Sequence, residues 1–300
     1  MTPPGDVDPD PIGLDLAHGP TRLAPWASAL RALPYPVTSG LLATAAVAEG
    51  IISNGRFRRA LSWARDRGFT RGAQWRLAVA LLANHGRFVA EEAMLGAEST
   101  DDLARNVTLL GAERLATLRG RGALLVGFHL GPPKTWMVLR AMGYPVRFAG
   151  RLEAATRDRR WDRALAAGEA FRLPDGDARA RTATLFRMRN ALRSGALVYL
   201  TADGPFGAEA FRIDLAGGSI VVRSGWLAAR RAAGVPTFPV LTWREGGRRA
   251  IEVHPPLPEV DPDPSSDARA CHAALAPLIG DYVRRVPDQC RWVAMPRWLA

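Results

Sequence analysis

The sequence predicts an α/β fold: a mixed, mostly parallel sheet flanked by helices, with an N-terminal helical lobe. Two observations carry this. From residue 123 onward, short apolar runs alternate with longer helical segments, the pattern of strands joined by helices on both faces of a sheet. The stretch ALLVGFHLGPPKTWMVLRAM (123–142) then reads as a buried strand, a sharp loop and an apolar helix. Loops between a strand and its helix lie at the carboxyl edge of a parallel sheet, where α/β proteins gather ligands. Prolines suit a first helical turn. Pro132 and Pro133 are therefore expected to open the helix, with its unpaired N–H groups aimed back at His129, a base beside an anion site.

The chain has 300 residues, 48% of them hydrophobic, and a formal charge of +11. No run of eighteen apolar residues obliges a membrane span. Cys271 and Cys290 stand far apart without metal-ligand spacing, and the N-terminus lacks a basic-then-apolar leader. A reduced, cytoplasmic chain is the expectation. Lys134 is the sole lysine among the 40 basic residues. A body this basic expects an anionic partner: a phospholipid surface, nucleic acid, or a phosphorylated substrate or carrier.

Residues 1–21, with four aspartates and no Lys or Arg, read as a disordered acidic tail. Residues 22–300 read as one domain, with a helical lobe over 22–118 and an α/β core over 119–300. Leu23, Trp26, Leu30 and Leu33 follow helical spacing. Val37 to Ile52 reads as a packed apolar helix, with partial bilayer insertion as the lesser alternative. Between Arg56 and Arg76 stand seven arginines against one acid, interleaved with Phe57, Trp63, Phe69 and Trp75. One reading is a solvated helical face with its aromatics turned inward. The other is a membrane-binding patch, with Arg56, Arg58, Arg59, Trp63 and Arg67 as its core. A long helix over 75–95 and another over 107–118 lead to the first strand.

Strands are then expected at 123–127, 146–149, 169–173, 196–201, 237–243 and 248–254. Helices fall at 134–142, 156–167, 178–193, 224–233 and 268–285. Residues 210–222 suit a hairpin, and Gly246-Gly247 suits a turn.

Several chemistries lack their residues. No glycine-rich phosphate loop follows a strand, so a dinucleotide site is not expected. No G-x-S-x-G elbow supplies a serine nucleophile. His and Cys never cluster at zinc spacing, and no nucleic-acid-binding signature is present. His129 at its strand end remains, with polar punctuation at other strand ends: Gly150-Arg151 and Thr201-Ala202-Asp203-Gly204-Pro205.

The stretches NVTLLGAERL, GRGALLVGFHLG, GYPVRFAGR, LRSGALVYLTADGPFG, GVPTFPVL and PDQCRWVAMPRW stand in this order across nearly the whole chain. In order and spacing it resembles the bacterial lysophospholipid acyltransferase superfamily. The resemblance is closest to the lipid A lauroyl/myristoyl acyltransferases and the phosphatidylinositol mannoside acyltransferases. It implies a glycerolipid-acyltransferase-like fold and transfer of an acyl group from acyl-CoA or acyl carrier protein to a hydroxyl of a lipid or glycolipid. It implies a thioester co-substrate and no metal or prosthetic cofactor. The expected setting is the anionic inner face of the cell membrane, with the chain held peripherally and no nucleic acid bound.

Carried over, His129 is the base, Arg151 binds phosphate or sugar groups, and Asp203 lines the acceptor site. Gly131 and the helix start face the developing oxyanion. In that family a carboxylate five residues beyond the histidine holds the imidazole, and here that position is Lys134. An ammonium cannot accept the imidazole N–H. Three readings follow: Asp203 or Glu153 orients His129 while Lys134 binds phosphate; the chain is a silent homologue that binds a lipid or carrier without turnover; or the pocket acylates an unusual acceptor.

Overall fold

Sheet strands arise where apolar runs end in glycine or a polar turn. They are β1 (Val107–Leu110), β2 (Ala123–Gly127), β3 (Val146–Gly150), β4 (Ala170–Arg172), β5 (Leu197–Thr201), β8 (Thr237–Glu245) and β9 (Arg248–Val253). Their order is β1-β9-β8-β2-β5-β3-β4. The block β8-β2-β5-β3-β4 is parallel throughout. β9 turns back antiparallel to β8 across Gly246-Gly247, and β1 runs parallel to β9. A separate antiparallel hairpin joins β6 (Glu209–Leu215) and β7 (Gly218–Arg223). This computed structural model describes residues 33–53, 55–94, 106–118, 120–150, 170–173, 178–204, 207–215 and 218–294. The acidic tail, the helix expected from Leu23, the helix near 156–167, Arg151 and Glu153 lie outside the described residues.

The sheet is buried on both faces. Leu124, Val126, Val198 and Leu200 face one apolar layer, shared with the N-terminal helices and the long C-terminal helix. Ala123, Leu125, Leu197 and Tyr199 alternate with them and face the other layer. Eight α-helices accompany the strands among the described residues: α1 (Tyr35–Ile52), α2 (Gly55–Arg65), α3 (Arg71–Met94), α4 (Ala112–Ala116), α5 (Thr135–Ala141), α6 (Ala178–Arg193), α7 (Gly225–Ala233) and α8 (Pro264–Arg285). α8 begins one turn before its expected start. Asp263 accepts from the Ser266 N–H at 2.7 Å, Pro264 takes N1, and Asp267 stands in the first turn.

Three local expectations are corrected. Val107–Leu110, expected as helix, is a strand, because its backbone pairs with β9 and Arg249 N–H reaches the Asn106 carbonyl. The basic stretch 56–76, read as one helical face, falls in two helices separated by 66–70. The prolines do not open α5. Its first residue is Thr135, preceded by Lys134 in the left-handed region, φ 56° and ψ 38°, whose side chain makes no capping bond. The Pro133 carbonyl is turned instead toward Arg249 Nη1 at 3.2 Å.

Two residues of the expected membrane patch, Arg56 and Trp63, are buried. Arg56 bonds both oxygens of Glu49 at 3.0 Å. Trp63 has the Arg67 guanidinium stacked on its ring and bonded to its carbonyl at 3.2 Å. Burial lowers the Arg67 pKa to about 10. Phe57 also turns inward, while Arg58, Phe69 and Trp75 stay exposed. α1 is long and apolar enough by length and composition to cross a membrane, and 39% of it is buried. Its buried face packs close to α3, where a Cβ at Gly86 would come within 2.1 Å of the Leu42 carbonyl. Its other face, with Val37, Leu41, Ile51 and Ile52, is apolar and exposed.

Candidate active site

β2 and β5 are neighbours, and the chain leaves them in opposite directions, toward β3 from one and toward β8 from the other. Such a switch point opens a crevice at the carboxyl ends of the strands. The register pairs Gly127 with Thr201. The residues two places beyond each, His129 and Asp203, therefore arrive opposite one another.

They meet. His129 Nδ1 lies 3.0 Å from Asp203 Oδ1. The His129 backbone N–H donates to both carboxylate oxygens, each at 3.0 Å. The Asp203 side chain is 2% exposed and that of His129 21%, so the ring reaches solvent from a buried support. A carboxylate offers only acceptors. Nδ1 therefore carries the ring hydrogen, and Nε2 keeps the lone pair that a general base needs. The Asp203 loop is fixed in turn by the hairpin: Asp203 bridges Val222, Arg223 N–H donates to the Ala202 carbonyl at 2.7 Å, and Arg223 Nε donates to the Gly204 carbonyl at 2.6 Å.

Across 122–136 every residue is buried except His129 and Lys134, which are half-exposed. The loop thus offers these two side chains to solvent from one turn of chain. Gly127 and Gly131 are both required by close approach. A Cβ at Gly127 would lie 1.9 Å from the Tyr199 hydroxyl, which bonds Thr135 at the start of α5. Gly131 has φ 63°, and a Cβ there would lie 1.9 Å from the Thr242 carbonyl.

The Gly131 N–H, expected to face an oxyanion, is already taken up within the protein. It is donated to the Gln289 carbonyl at 2.9 Å, and Leu130 bridges Cys290. The seven-residue α5 begins beyond a left-handed lysine and supplies no long dipole toward His129. Arg58, Arg59 and Arg67 belong to the N-terminal lobe. Arg59 is half-buried, its pKa lowered by burial and by Arg56.

Sequence reasoning missed four residues that touch the loop or its supports: Gln289, Arg249, Glu91 and Arg244. The PDQC stretch was singled out only for its resemblance, and its pairing with Leu130 and Gly131 is what gives it a place. Among the described residues no cluster of His, Cys, Asp and Glu could hold a metal ion. Both thiols are buried, and burial pushes Cys271 up to about 11.

No curated protein matches the chain significantly. A half-exposed histidine backed by a buried carboxylate, at the switch point of a mostly parallel sheet, suits acyl transfer. The family model for bacterial lipid A biosynthesis acyltransferase matches residues 25–300, and the chain belongs to that acyltransferase family.

Proposed function

We propose that the protein moves a fatty acyl group from an acyl thioester, acyl-CoA or acyl carrier protein, to a hydroxyl of a lipid or glycolipid at a membrane surface. The observation that carries this reading is the His129–Asp203 contact, 3.0 Å between ring nitrogen and carboxylate oxygen. It supplies the acceptor that Lys134 cannot. In the reaction, His129 Nε2 takes the hydroxyl proton as that oxygen attacks the thioester carbonyl. The C–O bond forms, the C–S bond breaks, and the imidazolium returns its proton to the leaving thiolate. Asp203 holds the ring in the tautomer this needs and balances the imidazolium charge.

Lys134 is assigned to substrate phosphate; Arg151, expected from the resemblance to bind phosphate or sugar groups, lies outside the described residues. A left-handed backbone is costly for a residue other than glycine, on the order of 1–2 kcal/mol. That cost at a solvent-reaching lysine beside the base supports a binding role.

The membrane contact is assigned to the exposed face of α1 with Trp75 and Val79 of α3. Val37, Leu41, Ile51 and Ile52 recur on that face at helical spacing with no charge among them, while Arg58, Arg65, Arg71 and Arg76 are exposed nearby in sequence. Apolar residues beside arginines suit a helix lying in an anionic headgroup layer, on the inner face of the membrane.

The test is release of free thiol from palmitoyl-CoA in the presence of phosphatidylglycerol vesicles, with mass spectrometry of the acylated product. Wild-type turnover that disappears in His129→Ala supports the reading. Vesicle binding without turnover on palmitoyl-CoA or palmitoyl carrier protein overturns it in favour of a silent lipid binder.

A further inference from the structure

Among the contacts that hold the loop between His129 and Thr135 are two from distant parts of the chain: Gln289 at Gly131 and Arg249 at Pro133. These supports belong to one closed circuit. The Gln289 amide spans the backbone of Arg244, accepting its N–H at 2.7 Å and donating to its carbonyl at 3.0 Å. The Arg244 guanidinium bonds one oxygen of Glu91, the other Glu91 oxygen bonds Arg249, and Arg249 returns to the loop at Pro133. Tyr35 closes over the same corner. It accepts from Arg244 Nη1 at 2.5 Å and donates to Glu91 Oε1 at 3.2 Å. Burial, and then the Glu91 charge, push its phenol up to about 12, so it stays a neutral donor.

Glu91 is the one acid in this circuit. It is buried on α3, in the N-terminal lobe, while the two arginines come from β8 and β9. A single carboxylate between two guanidiniums keeps both cations turned inward. Without its charge they repel each other in a low-dielectric corner, and Arg249 loses the partner that aims it at Pro133. The Pro133 carbonyl belongs to the peptide that sets the left-handed turn at Lys134. Leu130 to Pro133 are buried and include two prolines, so a shift there is transmitted along a stiff segment to His129.

We propose that Glu91 is a positioning residue for the reaction: through Arg249 it holds the Pro133–Lys134 peptide, and with it the placement of His129 and Lys134. The proposal rests on the acyltransferase reading of this site. Displacing reacting groups by about 1 Å costs on the order of 10²-fold in rate.

The experiment compares Glu91→Gln, Arg249→Met and the double variant Glu91→Gln/Arg249→Met. It measures kcat and KM on palmitoyl-CoA with phosphatidylglycerol vesicles. It also measures the rate at which diethyl pyrocarbonate modifies His129, followed by mass spectrometry, which needs no turnover. Glu91→Gln is expected to lower kcat about 10²-fold at nearly unchanged KM and to change the His129 modification rate severalfold. The double variant restores the circuit's net charge, and its thermal midpoint should recover. Its kcat should not, because Pro133 still lacks its donor.

A folded double variant with wild-type kcat and an unchanged modification rate overturns the proposal. So does recovery of kcat in step with the thermal midpoint, which assigns Glu91 to stability alone. If the wild type cleaves no palmitoyl-CoA, the acyltransferase reading fails, and the modification rate alone decides: altered in the folded variants it supports the positioning role, unaltered it overturns it. Should Glu91→Gln fail to fold, the other two variants carry the same test.

Discussion

Replacing Asp203 by asparagine probes the contact on which the proposed chemistry depends. The amide is nearly isosteric and can still accept the His129 backbone N–H through its oxygen. The loop should stay in place, at a cost of about 1–2 kcal/mol in stability. What changes is the ring. A hydrogen bond to a charged partner contributes about 1.5–3 kcal/mol, and each 1.36 kcal/mol is tenfold in rate. Losing the charge-assisted bond at Nδ1 therefore costs about 10- to 150-fold in stabilising the imidazolium. If the amide N–H turns toward Nδ1, the ring hydrogen moves to Nε2 and the base is lost, and the loss approaches about 10⁴-fold. The assay is kcat/KM on palmitoyl-CoA for Asp203→Asn, His129→Ala and the pair. Residues that act as a unit are not additive, so Asp203→Asn should cost almost nothing further once His129 is alanine. A folded Asp203→Asn protein with kcat/KM close to wild type would refute the orienting role. So would full additivity in the pair.

Other perturbations read other parts of the site. Lys134→Glu should raise KM for a phosphate-bearing substrate at least about tenfold, because a cation–anion contact becomes a like-charge one, while Lys134→Arg should retain function; a gain in turnover on Lys134→Glu would assign the lysine a silencing role instead. His254, 3.4 Å from Glu252, has its pKa held below the usual 6.5, by burial first, opposed by Glu252 and reinforced by Arg114 and Arg285. The unfolded chain then binds more protons below that value, so stability should fall as pH drops through 6.5 toward the folded value; urea midpoints at two pH values check this, with His254→Phe expected to flatten the difference. Leu41→Asp and Ile52→Asp, at positions 54% and 68% exposed, should weaken partition into phosphatidylglycerol vesicles while leaving the thermal midpoint unchanged. Each loses about 1 kcal/mol of apolar transfer, roughly fivefold in partition. Raised salt should weaken the same binding through screening, and salt-independent binding would remove the arginines from this account.

The sheet was legible because its strands are short apolar runs closed by glycine or by a polar turn, as at Gly127 and Gly246-Gly247. β1 was not legible: four residues are too few for periodicity to separate strand from helix, and what makes Val107–Leu110 a strand is pairing with β9, some 140 residues later. At the site, His129 and Asp203 could both be named, yet Asp203 and Glu153 stood as equal candidates for orienting the ring. The decisive fact was position, since each partner follows its strand by two residues and the register brings Gly127 beside Thr201. Arg56 looked like a membrane contact because sequence shows charge and hides burial. Its partner, Glu49, lies one helix earlier across a break. Gln289 stood in a stretch that carried resemblance but no sign of its contacts, and Glu91 left no local signal, because the partners of both lie far away along the chain.

The pairing of His129 with Asp203 has a structural consequence. A carboxylate at position 134 would share one loop and one short helix with His129, and a single segment would set their geometry. Here the two partners come from loops after different strands. Their spacing depends on the β2–β5 register and on the hairpin contacts that hold 202–204. The His129–Asp203 bond is thereby tied to the sheet, and the loop after β2 carries Lys134. The loop itself then needs anchoring from elsewhere, and that is where Gln289, Arg249 and Glu91 bear on it. Changes at the hairpin should therefore act on the ring's tautomer and hence on kcat. Changes in the Glu91 circuit should act on the placement of the whole loop, with His129 modification altered alongside kcat.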